Sequence, residues 1–233
     1  MVRLYVIVEG HSEQSFVKRL LAPHLGAHGV FAEAQRITTL DERRNVGGRE
    51  VRQLERGSLL HYRQLRRDVE NYPRRRDVWL TTFMDLYRLP QSFPGYAACA
   101  PMDDPFARAD ALEAAISADL QREQLIPYIQ VHEFESLLFT DLNKLRSLCE
   151  NERDERALHR LAKELAGLEP ERINGGAETH PYARIFGVFG RRYQKRVDGP
   201  NLLHEIGLPT LLERAPRFAA WVRRLEGLAR GPR

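Results

Sequence analysis

The sequence is poor in cysteine and has no long apolar run. Its two cysteines, Cys99 and Cys149, are too few for a disulfide framework and lack the paired spacing of a zinc site. No stretch approaches the roughly 20 apolar residues that a membrane-spanning helix requires. The Gly-x-x-x-x-Gly-Lys pattern of ATP-binding loops and the Gly-x-Ser-x-Gly pattern of serine hydrolases do not occur. These absences argue against a disulfide-rich secreted protein, a membrane protein and an ATPase.

The overall composition is that of a globular protein. The 233 residues are 42% hydrophobic and 29% charged, which is ordinary for a folded domain. The segment Met1–Val8 is followed by an acidic residue and a glycine instead of a small-residue cleavage site, so we predict a first strand and a cytoplasmic protein. The formal net charge is +4, and arginines cluster. Clustered arginine suits phosphate contact, although each cluster alone is also typical of a solvated helix face.

Strand and helix patterns alternate along the first part of the chain. Apolar segments predict strands at 3–8, 30–37, 77–84 and 125–131, and amphipathic segments predict helices at 12–21, 58–72, 106–122 and 134–148. Segments 38–50 and 87–105 predict loops. Beyond residue 150 only helices are predicted, at 153–166, 182–193 and 216–228. The order predicts an α/β, Rossmann-like core over residues 1–149, with a parallel-rich sheet and helices on both faces, and a helical C-terminal lobe over 150–233 packed on it.

Carboxylates follow three of the predicted strands. Glu9 follows the first strand, Asp85 ends a later one, and Glu133 and Glu135 come after a third, while Glu13 lies near the start of the first helix. The carboxyl ends of parallel strands meet at one edge of a sheet, so these acids can converge. Oxygen ligands without cysteine fit Mg²⁺ or Mn²⁺, which can activate water for phosphodiester hydrolysis. Each acid alone is equally explained as a residue that favours a helix N-terminus.

Several segments resemble a known family. The segment Val8-Glu9-Gly10 resembles the first motif of Toprim domains. The segment Met84-Asp85-Leu86-Tyr87 resembles the second Toprim motif. That motif is commonly Asp-x-Asp, and this chain has Tyr87 at the position of the second aspartate. Further blocks resemble, nearly end to end, an uncharacterised Toprim-like bacterial family (domain of unknown function 4276) related to overcoming-lysogenization-defect-type nucleases. They start at Val131, Ile173, Glu205 and Phe218.

The resemblance implies a Toprim-like fold and a nuclease that depends on Mg²⁺ or Mn²⁺. It makes Glu9 and Asp85 metal ligands, Glu133 or Glu135 a third ligand or general base, and Glu13 a weaker ligand. It also implies gene neighbours that encode ABC-type AAA ATPases, as in some anti-phage defence systems. The chain would then be an effector subunit acting on DNA or RNA, and assembly into a homo-oligomer stays open.

Four basic or polar residues are candidate nucleic-acid contacts. Family members often carry Ser-Lys where this chain has Tyr182-Ala183, so another lysine would have to contact phosphate. Lys195 could be that lysine, although a solvated position at a helix end explains it equally well. The candidates are Lys195, Arg191, Arg192 and His11.

The alternative function belongs to another class of protein. A Toprim-like module without catalysis could regulate or bind, docking on a partner ATPase or on nucleic acid, and Tyr87 in the second motif favours it. A plain nucleotide-binding domain is disfavoured because the first turn has one glycine and an acid where phosphate would approach.

Overall fold

The computed structural model describes residues 1–38, 42–46, 49–53, 61–173, 176 and 178–230. The strands in these ranges are β1 (Val2–Val8), β2 (Val30–Arg36), β3 (Glu42–Val46), β4 (Arg49–Gln53), β5 (Val78–Asp85), β6 (Leu125–Ile126) and β7 (Ile129–Gln130). A parallel sheet has the strand order β2-β1-β5-β6, and β7 pairs with the end of β5. Strands β3 and β4 form a separate antiparallel hairpin.

Helices occupy most of the remaining described chain. The α-helices are α1 (His11–Phe16), α2 (Ala22–Ala27), α3 (Tyr62–Glu70), α4 (Tyr96–Cys99), α5 (Pro105–Leu120), α6 (Glu152–Glu164), α7 (Pro181–Phe189), α8 (Lys195–Ile206), α9 (Leu208–Arg214) and α10 (Pro216–Glu226). A π-helical turn, Val17–Leu21, joins α1 to α2. The 3₁₀ segments are Phe134–Thr140, Leu142–Leu148, Pro170–Arg172, Gly190–Arg192 and Gly227–Arg230. Within the described ranges, every helix is too short or too polar to cross a membrane.

The sheet carries an apolar core on each face. Successive side chains of a strand point to opposite faces, so Leu4, Val6 and Val8 of β1 pack with α1, α2 and α10, whereas Ile7 packs with α3 and α5. Helices therefore cover both faces of a parallel sheet. This confirms the α/β, Rossmann-like architecture that the alternating sequence pattern predicts.

The C-terminal helices share the core of the sheet. Phe218 of α10 lies 5.9 Å from Phe16, measured between ring centroids, and Trp221 lies 5.4 Å from Phe83. The indole Nε1 of Trp221 donates a hydrogen bond of 2.8 Å to Thr81 Oγ1 in β5. One buried apolar cluster thus joins the two sequence segments, and the division at residue 149 stays a prediction.

Five local predictions are corrected. The strand at 125–131 is two short strands separated by Pro127, which has no backbone N–H to continue the pairing. The loop predicted at 38–50 includes β3 and the start of β4, and the loop predicted at 87–105 contains α4. Residues 39–41 and 47–48 of the first loop, and residues 58–60 of the helix predicted at 58–72, lie outside the described part. The helix predicted at 134–148 is two 3₁₀ segments.

The fifth correction concerns α8 and α9, which the sequence pattern does not predict. Gly199 and Pro200 lie inside α8 and are ordinarily helix breakers. A Cβ at Gly199 would lie 3.4 Å from Phe134 and 3.1 Å from the Tyr193 hydroxyl. Glycine here lets α8 pack closely against the segment after β7.

Glu171 should make stability depend on pH. It is buried, and its carboxylate accepts hydrogen bonds from the Arg217 and Phe218 amides at the start of α10, at 2.8 and 3.1 Å. Burial raises the pKa of Glu171 to about 7, although the two backbone hydrogen bonds oppose the shift. A carboxyl with a raised pKa in the folded state contributes stability below the unfolded value, and this stability is lost as the pH rises toward 7.

We expect the wild type to lose roughly 2 kcal/mol more than Glu171→Gln between pH 4.5 and pH 8. Urea unfolding of both proteins in EDTA measures this difference. Parallel pH profiles for the two proteins would contradict the assignment.

Candidate functional site

Two of the strand-end acids, Glu9 and Asp85, line one cleft. Val8 of β1 pairs with Phe83 of β5, so Glu9 and Asp85 lie at the same edge of the sheet on neighbouring strands. The cleft has a volume of about 240 Å³. Its lining consists of Glu9, Gly10, His11, Ser12, Glu13, Asp85, Lys195 and Arg196. Glu9 and Asp85, predicted to converge from the strands at 3–8 and 77–84, therefore lie at one cleft in the structure.

Asp85 is a strongly perturbed acid of the cleft. Its Oδ1 accepts a hydrogen bond of 2.8 Å from the Phe134 amide, which connects it to the segment after β7. Burial raises the pKa of Asp85 well above its ordinary value, and the charges of Glu13, Glu9 and Glu135 raise it further, against the opposing effect of Lys195. Such a pKa reflects the cost of charging a desolvated carboxyl close to other acids.

Glu13 stabilises the start of α1 and lies close to the other acids. It is 5% exposed, and its Oε2 accepts a hydrogen bond of 2.9 Å from the Gly10 amide, so it stabilises the first turn of α1. Burial raises its pKa, Glu135 adds to the increase, and Lys195 opposes it. The side chain therefore caps a helix and also belongs to the coupled acid group.

Lys195 supplies positive charge to the acids. Its Nζ lies 2.7 Å from Glu135 Oε2 and 4.0 Å from Asp85 Oδ2. The contact with Glu135 is an ion pair whose geometry departs from that of a regular hydrogen bond. Burial alone would lower the pKa of Lys195, but Glu135, Asp85 and Glu13 outweigh it and hold the pKa above its ordinary value. Lys195 is therefore not a freely solvated residue.

Glu135 is the acid after β7 that meets this network. Its side chain is fully buried, and Tyr193 donates from its hydroxyl to Oε1 at 3.4 Å. Burial raises the pKa of Glu135, while the charge of Lys195 lowers it in part. The Lys195 ammonium and the Tyr193 phenol thus contact a carboxylate whose charged form is disfavoured by burial.

Glu133 is held at a different place. Its Oε2 accepts hydrogen bonds from His180 Nδ1 at 2.8 Å and from the Tyr182 amide at 2.9 Å. It therefore anchors the start of α7. Neither Glu133 nor Glu135 lines the cleft, but Glu135 contacts Lys195, which does, so Glu135 is the better placed of the two for a ligand.

Tyr87 does not reach the acids in place of the missing aspartate. Its ring stacks on His180, with the centroids 4.6 Å apart, and its amide donates to the His132 carbonyl at 2.8 Å. Next to these residues, Arg88 and His132 have positive φ angles of 61° and 64°, which cost energy for residues with a side chain. Two neighbouring loops after β5 and β7 are thus held in uncommon conformations.

These two loops form one wall of a second cleft of about 470 Å³. Its lining includes Tyr87, Tyr96, His132 and three arginines, Arg88, Arg108 and Arg172. Burial lowers the pKa of His132 to about 4, so the ring is neutral near pH 7. Among the described residues, His132 Nε2 and Arg108 Nε have no hydrogen-bond partner although both atoms are buried. Polar groups without partners are rare inside proteins and are typical of sites that bind something.

The predicted nucleic-acid contacts do not form one surface. His11 lines the cleft, and its Nε2 lies 2.6 Å from an Arg36 guanidinium nitrogen. Burial, then the charges of Arg36 and Arg196, lower the pKa of His11. Arg192 instead pairs with both carboxylate oxygens of Asp154 at 2.6 and 2.7 Å, and Arg191 is exposed.

Arg196 lines the cleft although it was not among the candidate contacts predicted from the sequence. Its position directly after Lys195 at the start of α8 was the available signal. Without a predicted helix at 195–206, the pair could not be assigned to the cleft.

A family model matches almost the whole chain. The family is described as a domain of unknown function, DUF4276, and the match covers residues 8–226. No curated protein and no solved structure matches the chain. The matched range includes all five acids and Lys195.

Proposed function

We propose that this chain, which belongs to the DUF4276 family, is a Toprim-like nuclease that hydrolyses phosphodiester bonds in DNA or RNA with Mg²⁺ or Mn²⁺. The observation that carries the proposal is the group of electrostatically coupled acids, buried or partly buried, in and beside one cleft, with the pKa of Asp85 raised well above its ordinary value. In this proposal Glu9, Asp85 and Glu135 hold the ion, with Glu13 beside them. The Toprim relationship itself is supported by the resemblance of the sequence motifs.

The donor set fits a hard divalent cation. Carboxylate oxygens without thiolates are the ligands that Mg²⁺ and Mn²⁺ favour. Bringing several carboxylates together in a buried cleft costs free energy unless a cation offsets their repulsion. When bound, the ion would supply an activated water and positive charge at the scissile phosphate.

The chain's own residues would do the rest of the chemistry. Lys195 presents an ammonium group to the cleft and can meet a phosphate oxygen as a point charge. Glu135, buried beside Lys195, would hold that ammonium group in position. Arg196 and His11 lie at the cleft and would contact the nucleic-acid backbone.

A specific observation favours the alternative function as well. The Lys195 ammonium already neutralises Glu135 and faces Asp85, which is what a structural cation would do in a module that has lost its metal. Tyr87, stacked on His180 instead of serving as a ligand, agrees with that alternative. Such a module would bind nucleic acid or regulate a partner without cleaving.

The partner and setting proposed for the chain follow the resemblance. The partner would be an ABC-type AAA ATPase encoded nearby, and the chain would act in the cytoplasm as the effector subunit of an anti-phage defence system. Their support is the likeness of the sequence blocks.

We also propose that the second cleft holds the nucleic-acid strand beside the acids. The Arg88 guanidinium lies 5.2 Å from the Tyr87 ring centroid and that of Arg108 lies 5.5 Å from the Tyr96 ring centroid, so cationic and aromatic groups alternate along its wall. Such alternation suits a phosphate backbone with stacked bases.

Arg88→Ala or Arg108→Ala should therefore weaken binding of single-stranded nucleic acid and reduce the slope of log affinity against log salt by about 1. Fluorescence anisotropy in EDTA at several salt concentrations measures both effects. Arg156→Ala is the matched control, because Arg156 pairs with Glu152 on the exposed side of α6, away from the second cleft. A salt slope as in the wild type for both cleft variants would remove this cleft from the binding surface.

A cleavage assay tests the proposed function. The purified chain is incubated with plasmid DNA, single-stranded DNA and total RNA in Mg²⁺, in Mn²⁺ or in EDTA. We expect cleavage of at least one substrate with metal and none in EDTA. Absence of cleavage under every metal condition, also after addition of the ATPase partner, would favour the non-catalytic module.

A further inference from the structure

A second group of metal-binding side chains lies away from the acidic cleft. His24 of α2 and His28, directly after α2, are one helical turn apart, and their ring centroids lie 4.9 Å from each other. Glu226, the last residue of α10, contacts the first of them, with Oε1 2.7 Å from His24 Nε2. Helices from the two ends of the chain thus contribute side chains to one place.

The three side chains can act as ligands of a single ion. One donor atom from each lies within 4.8 Å of the other two. The His24 and Glu226 side chains are 27% and 20% exposed, so an ion and a water molecule can reach them. Bond lengths of about 2.0–2.2 Å to a common centre require the donor atoms, now within 4.8 Å of one another, to draw closer together when the ion binds.

The chemistry of these donors differs from that of the acidic cleft. Two imidazoles and one carboxylate suit Zn²⁺ and neighbouring transition ions, whereas Mg²⁺ favours oxygen ligands. Three protein ligands leave a position for water, as in many zinc sites that are not fully closed. We therefore expect Zn²⁺ to prefer the group of His24, His28 and Glu226, and Mg²⁺ to prefer the acidic cleft.

The group of His24, His28 and Glu226 lies where the segment before β2 contacts the segment after α10. His28 and Gly29 directly precede β2, so the group lies toward the amino edge of the parallel sheet, whereas the acidic cleft is at the carboxyl edge. Gly29 has φ +79°, and a Cβ there would lie 3.4 Å from Ala229, beyond α10. The first and last parts of the described chain are therefore in close contact at this point.

We propose that His24, His28 and Glu226 form a binding site for Zn²⁺ or a similar transition ion that ties α2 to α10. The ion joins elements far apart in sequence, one of which carries the core residues Phe218 and Trp221. Ion binding to the folded chain alone stabilises it by mass action. The proposal is independent of any nuclease activity.

Zn²⁺ and Co²⁺ binding to the metal-free protein tests the site, with excess Mg²⁺ present to occupy the acidic cleft. The wild type should bind one Zn²⁺ tightly, show the visible absorption bands of Co²⁺ bound to nitrogen ligands, and gain thermal stability with Zn²⁺. In His28→Gln and Glu226→Gln the affinity should fall by at least roughly tenfold, because even the loss of an outer-shell partner costs about that much. His159→Gln, an exposed histidine on α6, is the control and should bind as the wild type does.

His28→Gln keeps the contact between His24 and Glu226, so it provides a readout even if Glu226→Gln impairs folding. Equal Zn²⁺ affinity and an equal Co²⁺ spectrum in the wild type and in folded His28→Gln would overturn the proposal. Absence of stoichiometric Zn²⁺ binding by the wild type would overturn it as well.

Discussion

Asp85→Ala should abolish metal-dependent cleavage, lowering the rate by about 10³-fold or more. A bound ion provides several kcal/mol of transition-state stabilisation, and each 1.4 kcal/mol corresponds to about a tenfold rate change. Asp85 lies at the centre of the coupled acids, so its loss should remove the ion together with its charge stabilisation. Glu9→Ala, at the end of the neighbouring strand, should have a comparable effect.

The fold should survive the Asp85 substitution. Removing a buried carboxylate that is repelled by its neighbours offsets the loss of one hydrogen bond to the Phe134 amide. Circular dichroism and thermal unfolding in EDTA verify this. Glu133→Gln is an informative comparison, because Glu133 is tied to His180 and α7 and should affect cleavage far less. Cleavage that persists in the folded Asp85→Ala/Glu9→Ala double variant would refute the assignment of these ligands.

Lys195→Met should destabilise the metal-free protein by about 2–3 kcal/mol near pH 8. Breaking a fully buried ion pair costs about 3–5 kcal/mol, and the partial exposure of Lys195 reduces that figure. Glu135, fully buried, would be left with the repulsion of the nearby acids and without its cation. Addition of Mg²⁺ should restore part of the lost stability, because the ion takes over the charge compensation.

The pH dependence of this effect has a definite sign. The pKa values of Glu13, Asp85 and Glu135 are raised in the folded protein, so the stability that these groups contribute is present at low pH and is lost as the pH rises. The deficit of Lys195→Met should accordingly shrink on acidification, when the acids take up protons. Urea unfolding in EDTA and in Mg²⁺ at several pH values measures it.

The double variant Lys195→Met/Glu135→Leu removes both charges and is the control for the lysine effect. It should recover most of the stability, since an apolar pair can replace a buried ion pair. A Lys195→Met protein as stable as the wild type in EDTA would show that the lysine does not neutralise the acids.

The convergence of Glu9 and Asp85 could be predicted because it depends on sheet topology alone. Apolar runs that end in an acid identify the carboxyl ends of strands, and parallel pairing brings such ends together. The same reasoning predicts the α/β architecture.

The choice between Glu133 and Glu135 could not be made from the sequence. It depends on the 3₁₀ segment Phe134–Thr140, which turns successive side chains differently from an α-helix. The sequence also could not identify Lys195 as a partner of these acids, because α8 contains Gly199 and Pro200 and no helix is predicted there. Tertiary packing against Phe134 overrides the low helix propensity of those residues.

Counting bound Mn²⁺ tests the central claim most directly. Electron paramagnetic resonance titrations of Mn²⁺ would compare wild type with Asp85→Ala, both in a His28→Gln background so that only the acidic cleft is counted. The account predicts stoichiometric Mn²⁺ in the parent protein, displaced by Mg²⁺ and lost with Asp85. No bound Mn²⁺, or equal binding in the presence and absence of Asp85, would contradict the metal site and leave Lys195 as the cation of a non-catalytic module.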